Sequence, residues 1–221
     1  MTPISQFLEF KKPLPAHVKL VAVSKTKTEK EIMEVYDAPH RCFGENKVQE
    51  LVPKYLALPK DIEWHMVGHL QSNKVKYIAP FISMIQSVDS LKLLSVINKE
   101  AQKNNRVIQC LLQIHIANEE TKFGLNFDEA RDLLKSEEFA QFGNVEIRGV
   151  MGMATFTDNF ENIRKEFRAL KETFDMLKQE FFRENDNFSE ISMGMTDDFR
   201  IAIEEGSTIV RIGSGIFGSR T

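Results

Sequence analysis

A lysine that directly follows an apolar run is the first residue of this sequence that could do chemistry. Residues 18–23 read VKLVAV, a β-rich run, and Ser24-Lys25 comes next. Side chains alternate along a strand, so Val21, Val23 and Lys25 share a face. Partial burial of an amine disfavours its charged form, and a neutral amine forms a Schiff base with an aldehyde. The alternative is a lysine whose stem packs while its amine reaches water.

Two later segments combine glycines and hydroxyls directly after a β-rich run. Residues 192–198 read SMGMTDD, and residues 211–218 read RIGSGIFG. Where a strand turns into a helix, small residues expose backbone N–H groups that can surround a phosphate dianion. The two segments together therefore predict a phosphate-binding corner. We expect Asp197 and Asp198 to cap the helix over about 198–205 instead of facing the phosphate.

Arg211 and Asn46 could complete a site for a planar ligand. Arg211 precedes the second glycine segment, on the strand itself, where it would supply a fixed cation at the far end of the ligand. Its alternative is an ion pair with a barrel carboxylate such as Glu146. Asn46 follows Phe43-Gly44-Glu45 and offers both a donor and an acceptor to a ring substituent, but it is equally a turn residue.

A pair of histidines raises the question of a metal site. His65 and His69 are four residues apart, which is the spacing of two metal ligands on one face of a helix. Gly68 and the β-rich run at 62–67 contradict a helix there, and we find no further residues to complete a metal shell. The sequence therefore predicts no metal site.

The elements that must position these residues are short strands separated by helices. Eight β-rich runs can be read, at 18–23, 40–43, 62–67, 84–88, 107–114, 145–151, 188–193 and 208–212. This alternation predicts an α/β fold, a single (β/α)8 barrel of the TIM type, better than an open doubly wound sheet. Active groups of such barrels lie at the carboxyl ends of the strands, and phosphate is commonly held after strands 7 and 8. We expect one domain over residues 1–221, with 1–17 as a short N-terminal extension.

Helical patterns fill the intervals between the strands. Thr28 with Glu31 makes a capping box that opens a helix through about Tyr36, and Ser90 precedes the periodic segment LKLLSVINKEAQ. The longest helix carries an apolar stripe, which predicts packing on a sheet and not a coiled coil within this alternation. The stripe consists of Phe160, Ile163, Phe167, Leu170, Phe174, Leu177 and Phe181.

Composition excludes several classes of protein. The 29 basic and 32 acidic residues give a net charge of −3 and are mixed along the chain, so a nucleic-acid partner is not expected. We find no apolar run of about 18 residues and no signal-peptide pattern, so neither membrane spanning nor secretion is expected. Cys42 and Cys110 lie in short apolar runs and are expected to be reduced core thiols, as in a cytoplasmic protein.

Seven segments of the sequence resemble the pyridoxal phosphate homeostasis protein family, a cytosolic family with an alanine-racemase-like barrel. In chain order they are VAVSKTK, FGENKVQEL, WHMVGHLQSNK, FGL at 123–125, RGVMGMAT, SMGMTDD and VRIGSGIFG. The resemblance extends from about Lys19 to Arg220. It implies an alanine-racemase N-terminal-like barrel that binds pyridoxal 5′-phosphate (PLP).

The resemblance also implies roles for particular residues. Lys25 would hold PLP as an aldimine, Arg211 would face the pyridine nitrogen, and Asn46 would lie near the ring. The residues expected around the phosphate are Ser192, Met193, Gly213 and Ser214. The chain departs from the family in a shorter N-terminal segment, in Thr28 where a proline is frequent, and in exchanges between serine and threonine at Thr196 and Ser214 that keep the hydroxyl.

The same resemblance bears on whether the protein is an enzyme. Enzymes that resemble alanine racemase add a β-rich domain and pair the barrel lysine with a tyrosine from a partner subunit. Only about nine residues follow strand 8 here, and the three tyrosines, Tyr36, Tyr55 and Tyr77, fall in early helical segments. A cationic Arg211 beside the pyridine nitrogen would also discourage its protonation and weaken the ring as an electron sink.

We therefore expect a non-catalytic protein that holds PLP through Lys25 and serves its storage or delivery in the cytoplasm. Two alternatives stay open: a PLP-dependent amino-acid racemase or lyase, and a cofactor-free Schiff-base aldolase. Apo-enzymes that require PLP are the expected recipients. The missing dimer-forming domain favours a monomer.

Overall fold

A computed structural model, which describes residues 2–117 and 123–218, contains a closed barrel of eight parallel strands in chain order. The strands are β1 (Lys19–Val23), β2 (Cys42–Glu45), β3 (Glu63–Met66), β4 (Met84–Val88), β5 (Ile108–Gln113), β6 (Val145–Met151), β7 (Glu190–Ser192) and β8 (Ile209–Ile212). β8 pairs in parallel with β1 and closes the barrel. The predicted (β/α)8 barrel is confirmed, while the two ends of the predicted domain, 1–221, lie outside the described residues.

The helices surround the barrel, and two of them begin at the predicted caps Thr28 and Ser90. They are α1 (Pro3–Lys11), α2 (Glu29–Tyr36), α3 (Val48–Ala57), α4 (Val75–Ile78), α5 (Leu91–Lys103), α6 (Phe127–Lys135), α7 (Glu137–Ala140), α8 (Phe160–Phe181), α9 (Phe199–Glu204) and α10 (Ser214–Phe217). Thr28 and Glu31 form both hydrogen bonds of the capping box, and Ser90 accepts from the Leu93 N–H. The described helices include none long and apolar enough to cross a membrane.

Alternation along the strands separates two apolar cores. Val21 and Val23 point into the barrel, whereas Leu20 and Ala22 point outward beneath the helices. The other apolar side chains inside the barrel are Cys42, Val67, Met84, Leu111, Met151 and Ile209. Lys25 therefore continues the inward face of β1 at its carboxyl end.

The second strand and the long helix differ in detail from the sequence prediction. β2 runs over Cys42–Glu45 and not over 40–43, because Cys42 and Glu45 are in register with Glu63 and Met66 of β3. On α8, the stripe packs as predicted from Ile163 to Leu177. Phe160 is exposed because it is the first residue of that helix and lies beside the cavity described below.

Helix α1 packs along the side of the barrel and forms part of its wall. Phe7 is buried and its ring lies 4.7 Å from that of His40, just before β2. Phe10, three residues on, lies 5.4 Å from the ring of Phe199 on α9. α1 also contacts α10, the short helix that follows β8. The N-terminal helix thus packs against the outer elements of the barrel.

Replacing Phe7 with alanine tests whether α1 is an integral part of the fold. We expect Phe7→Ala to lower the free energy of unfolding by about 3–5 kcal/mol, because it leaves a cavity under the helix. Leu8→Ala on the same helix is the matched control, since Leu8 is 52% exposed; its effect should stay within about 0.5 kcal/mol. Urea unfolding measures both values. Equal, small effects would show that α1 is not docked.

Candidate functional site

A cavity of about 940 Å³ opens at the carboxyl ends of the strands. Its volume lies within the usual range for small-molecule sites. Five of the residues predicted for the site line this cavity, namely Lys25, Asn46, Arg211, Gly213 and Ser214. Helix α1 adds Glu9 and Phe10 to the wall, a contribution that the sequence analysis missed. The loops after strands 1, 2 and 8 therefore meet at one cavity, as the strand-end rule predicts.

Two side chains of α3 hold the backbone on both sides of Lys25. The Ser24 carbonyl accepts a hydrogen bond from Lys54 Nζ at 2.8 Å, and the Thr26 N–H donates to Glu50 Oε2 at 2.6 Å. Thr26 adopts a φ of 64°, a left-handed conformation that costs energy for a β-branched residue. These two hydrogen bonds fix the turn that aims the half-buried Lys25 into the cavity.

A buried ion pair anchors this turn. Lys54 Nζ lies 2.7 Å from Glu45 Oε1, and the Ser24 hydroxyl donates to the same oxygen at 2.6 Å. Burial raises the pKa of Glu45, and the nearby Lys54 ammonium opposes that rise. The second carboxylate oxygen, Oε2, has no hydrogen-bond partner. Glu45 therefore depends on Lys54, since its charge alone would be buried and unpaired. Lys54 also lies 3.9 Å from Glu50 Oε2.

Asn46 is held in place by a close backbone approach from the next strand end. A Cβ on Gly68 would lie 2.5 Å from the Asn46 carbonyl oxygen and 2.7 Å from its Cα. Only glycine allows the loop after β3 to come so near. Asn46 consequently reaches the cavity wall from a rigid loop and not from a flexible turn.

Arg211 is buried inside the barrel with its guanidinium fixed at two points. Its Nη1 donates to Ser192 Oγ at 2.6 Å and its Nη2 donates to the Gly152 carbonyl at 2.9 Å. Burial lowers the pKa of Arg211 to about 10, and Asp198 opposes that fall. Arg211 is therefore still a cation at neutral pH.

The alternative pairing of Arg211 with Glu146 is wrong. Glu146 accepts a hydrogen bond from Asn187 at 2.7 Å and lies 3.5 Å from Arg148. Its strand begins at the opposite end of the barrel from the cavity. The cation of Arg211 is thus presented to the cavity with neutral hydrogen-bond partners.

Ser192 and Met193 are not on the cavity wall, which corrects their expected place around a phosphate. Ser192 points into the barrel, where its hydroxyl donates to Gln86 Oε1 at 2.6 Å. Met193 points outward into the core beneath the helices, and its N–H donates to the Ile209 carbonyl. Both side chains are fully buried. The geometry therefore gives no support to contacts between these two residues and a phosphate.

Hydroxyls from the two glycine segments instead meet at Thr196. The Ser214 hydroxyl donates to Thr196 Oγ1 at 3.1 Å, and the Gly215 N–H donates to the same atom at 3.2 Å. Thr196, Gly213 and Ser214 all line the cavity. The sequence signal for Thr196 was its hydroxyl in SMGMTDD. A Cβ on Gly215 would lie 2.4 Å from the Phe10 ring, so this corner also requires glycine for α1 to dock.

Asp198 does not cap α9 with its side chain. It occupies the N-cap position, but its carboxylate accepts from the Met195 N–H at 2.5 Å, on the preceding turn. The predicted side-chain cap is therefore wrong for Asp198. Burial raises the pKa of Asp198. Asp197 is exposed and lines the cavity rim.

The remaining candidate acids and bases lie elsewhere in the fold. None of the three tyrosines lines the cavity: Tyr36 donates to Asp61, Tyr55 stacks on Phe81, and Tyr77 is half exposed. His69 lies 3.2 Å from Asp89, whereas His65 is buried inside the barrel. The two histidines therefore do not share a ligand.

The chain is similar to proteins of one family in both sequence and structure. Residues 6–221 match the family model described as alanine racemase, N-terminal domain. A pyridoxal phosphate homeostasis protein from Aquifex aeolicus is 41% identical over 203 residues, which cover 91% of this chain and 87% of that protein. The structure of PipY from Synechococcus elongatus, with PLP bound, is 31% identical with a TM-score of 0.88, covering 98% of this chain and all of PipY.

An alanine racemase from Bartonella henselae shares the fold at greater distance. It is 16% identical with a TM-score of 0.73, and the match covers 98% of this chain and 58% of the racemase. At this identity the likeness concerns the fold alone.

Removing one partner of the buried ion pair tests its role beneath Lys25. We expect Lys54→Met to lower the free energy of unfolding by about 3–5 kcal/mol, because Glu45 would be left buried and unpaired. Lys47→Met, at an exposed position of the same segment, is the control and should change stability by less than about 0.5 kcal/mol. Denaturant titration of both variants gives the comparison. A Lys54→Met protein as stable as the control would mean that the pair does not organise the turn.

Proposed function

The chain belongs to the pyridoxal phosphate homeostasis protein family, and we propose that it binds PLP at the carboxyl end of its barrel for storage or delivery, without catalysing a reaction. The observation that carries this proposal is the meeting, in one cavity, of Lys25, Arg211 and the hydroxyl corner at Thr196 and Ser214. Its relatives named for PLP homeostasis, and PipY with PLP bound, support the same ligand.

The residues of the cavity fit the chemical groups of PLP. A lysine amine on the wall suits the aldehyde, with which it would form a Schiff base. The two hydroxyls and Gly213 suit the phosphate, because they offer donors and a close backbone approach. The fixed guanidinium of Arg211 suits the pyridine nitrogen as a hydrogen-bond acceptor. Asn46 is placed to meet a ring substituent.

The effect of the Arg211 cation on the pyridine nitrogen of PLP favours a carrier over a catalyst. PLP supplies an electron sink for carbanions when its ring nitrogen is protonated. A buried cation at that nitrogen disfavours the protonated ring, so Arg211 would keep the ring a poor sink. The tyrosines are also away from the cavity. A racemase would need a second acid–base group, and the tyrosines do not supply it.

The cellular setting follows from the same proposal. Recipients would be apo-enzymes that require PLP, since a protein-bound aldehyde is masked until it is passed on. Cys42 and Cys110 are buried free thiols, which supports a reducing compartment such as the cytoplasm. We propose that the protein is a monomer.

Reductive trapping tests the proposed attachment. The protein is incubated with PLP, reduced with borohydride, digested, and the added mass is located by peptide sequencing. We expect modification at Lys25, loss of the imine absorbance in Lys25→Ala, and its retention in Lys27→Ala. Lys27 is a matched control because it lies two residues away and pairs with Glu31.

Two results would contradict the proposal in different ways. Scattered labelling of surface lysines without imine absorbance would mean that the cavity does not bind PLP, and trapping of Lys25 only with a keto substrate would favour the aldolase. Turnover of an amino acid, or rapid exchange of its α-proton, lost in Lys25→Ala, would show a racemase or lyase.

Comparing PLP with pyridoxal tests where the phosphate lies. We expect Thr196→Val and Ser214→Ala each to weaken PLP binding by about tenfold or more, because a hydrogen bond to a charged group is lost. Their effect on pyridoxal, which has no phosphate, should be small. Ser192→Ala should leave the ratio of the two affinities unchanged, since Ser192 contacts Arg211. If the ratio of PLP affinity to pyridoxal affinity falls only in Ser192→Ala, Ser192 contacts the phosphate and the sequence prediction is right.

A further inference from the structure

A second group of chemically active side chains lies at the opposite end of the barrel from the cavity. Cys42 and Glu63 begin β2 and β3 and are paired in register, and His65 follows Glu63 on the same inward face. One donor atom from each of the three lies within 4.8 Å of the others. Cys42 and His65 are buried, whereas Glu63 is exposed, so the group can be reached from solvent.

The distance between the donor atoms of Cys42 and His65 matches a tetrahedral zinc site. Cys42 Sγ lies 3.5 Å from His65 Nε2. Zinc bonds of about 2.3 Å to sulfur and about 2.05 Å to nitrogen, at a tetrahedral angle, place the two donors about 3.6 Å apart. The two ligands need no rearrangement to meet such an ion.

The other nitrogen of His65 is already held as in metal-binding histidines. Gln86 contacts His65 Nδ1 at 2.9 Å and is itself held by the Ser192 hydroxyl. Burial lowers the pKa of His65 to about 3, so the ring is neutral. The Ser192 bond turns the amide nitrogen of Gln86 toward Nδ1, which leaves the ring proton on Nε2. Metal binding at Nε2 therefore requires the Gln86 amide to turn over, so that its oxygen accepts from Nδ1–H and its nitrogen donates to Ser192 Oγ. This support from a second side chain orients the ring for a metal.

We propose that Cys42, Glu63 and His65 bind Zn²⁺ at the amino-terminal end of the barrel, with a fourth position open to water. This differs from the sequence prediction of no metal site, which considered His65 only together with His69. The thiolate and the carboxylate would balance the charge of the ion. Binding breaks the Cys42 S–H bond, forms the sulfur–metal bond and releases the proton to water. Burial raises the pKa of the Cys42 thiol to about 12, so the ion itself must displace this proton.

Cobalt(II), which binds the same ligands and absorbs light, is the probe for this site. The full chain carrying Lys25→Ala is used, because an imine at Lys25 would absorb in the same near-ultraviolet region. We expect one equivalent of Co²⁺ to bind with a thiolate-to-metal charge-transfer band, and Zn²⁺ to displace it. Cys42→Ser should abolish the band. Cys110→Ser is the matched control and should keep it, since Cys110 is also a buried free thiol.

Glu63→Gln gives a second test that does not depend on a buried position. Because the Glu63 side chain is exposed, the substitution should leave folding intact. Loss of a ligand should weaken Co²⁺ binding by about tenfold or more, since removing a residue that only supports a ligand already has that effect. Circular dichroism shows whether each variant is folded. If Cys42→Ser does not fold, Co²⁺ binding by Glu63→Gln tests the proposal. The proposal is overturned if the band is absent, if it survives Cys42→Ser in a folded protein, or if Glu63→Gln binds Co²⁺ as tightly as the parent.

Discussion

Closure of the barrel by hydrogen bonds between its first and last strands is the constraint on which the whole site depends. β8 pairs with β1 from Lys19 opposite Ile209 to Ala22 opposite Ile212. This register brings Lys25, which follows β1, beside Gly213 and Ser214, which follow β8. Residues from the two ends of the chain thereby face one cavity, and a slip of one residue would turn their side chains to the other face.

Within that frame, charged groups are buried only where other groups hold them. Lys54 and Glu45 form a pair behind Lys25, and Arg211 is held by Ser192 and the Gly152 carbonyl. Such burial gives little net stability, because removing charges from water is costly. What it gives is orientation: two cationic side chains, Lys54 and Arg211, cannot move without leaving a buried partner unsatisfied.

Much of the fold and about half of the site detail could be predicted from the sequence. Strand runs and helix caps are local signals, and the strand-end rule then brings Lys25, Asn46, Arg211, Gly213 and Ser214 together. The inward direction of Ser192 could not be read, because it depends on the pairing of β7 with its neighbours. The support from Lys54 was also missed, since it contacts a carbonyl thirty positions away. Such contacts are set by packing and have no local pattern.

The docking of α1 on α10 has a consequence for the order in which the protein matures. Helix α1 contacts α2, which is made soon after it, but it meets α10 only after β8 and the residues that follow it have been made. Contacts between such distant parts of a chain form late, because the intervening loop must be closed first. The earlier strands emerge with one sheet edge unpaired and rely on fast completion of synthesis, or on chaperones, to avoid aggregation. A nascent chain therefore has no finished cavity, and any small molecule that needs the whole cavity can bind only after β8 and α10 have been made.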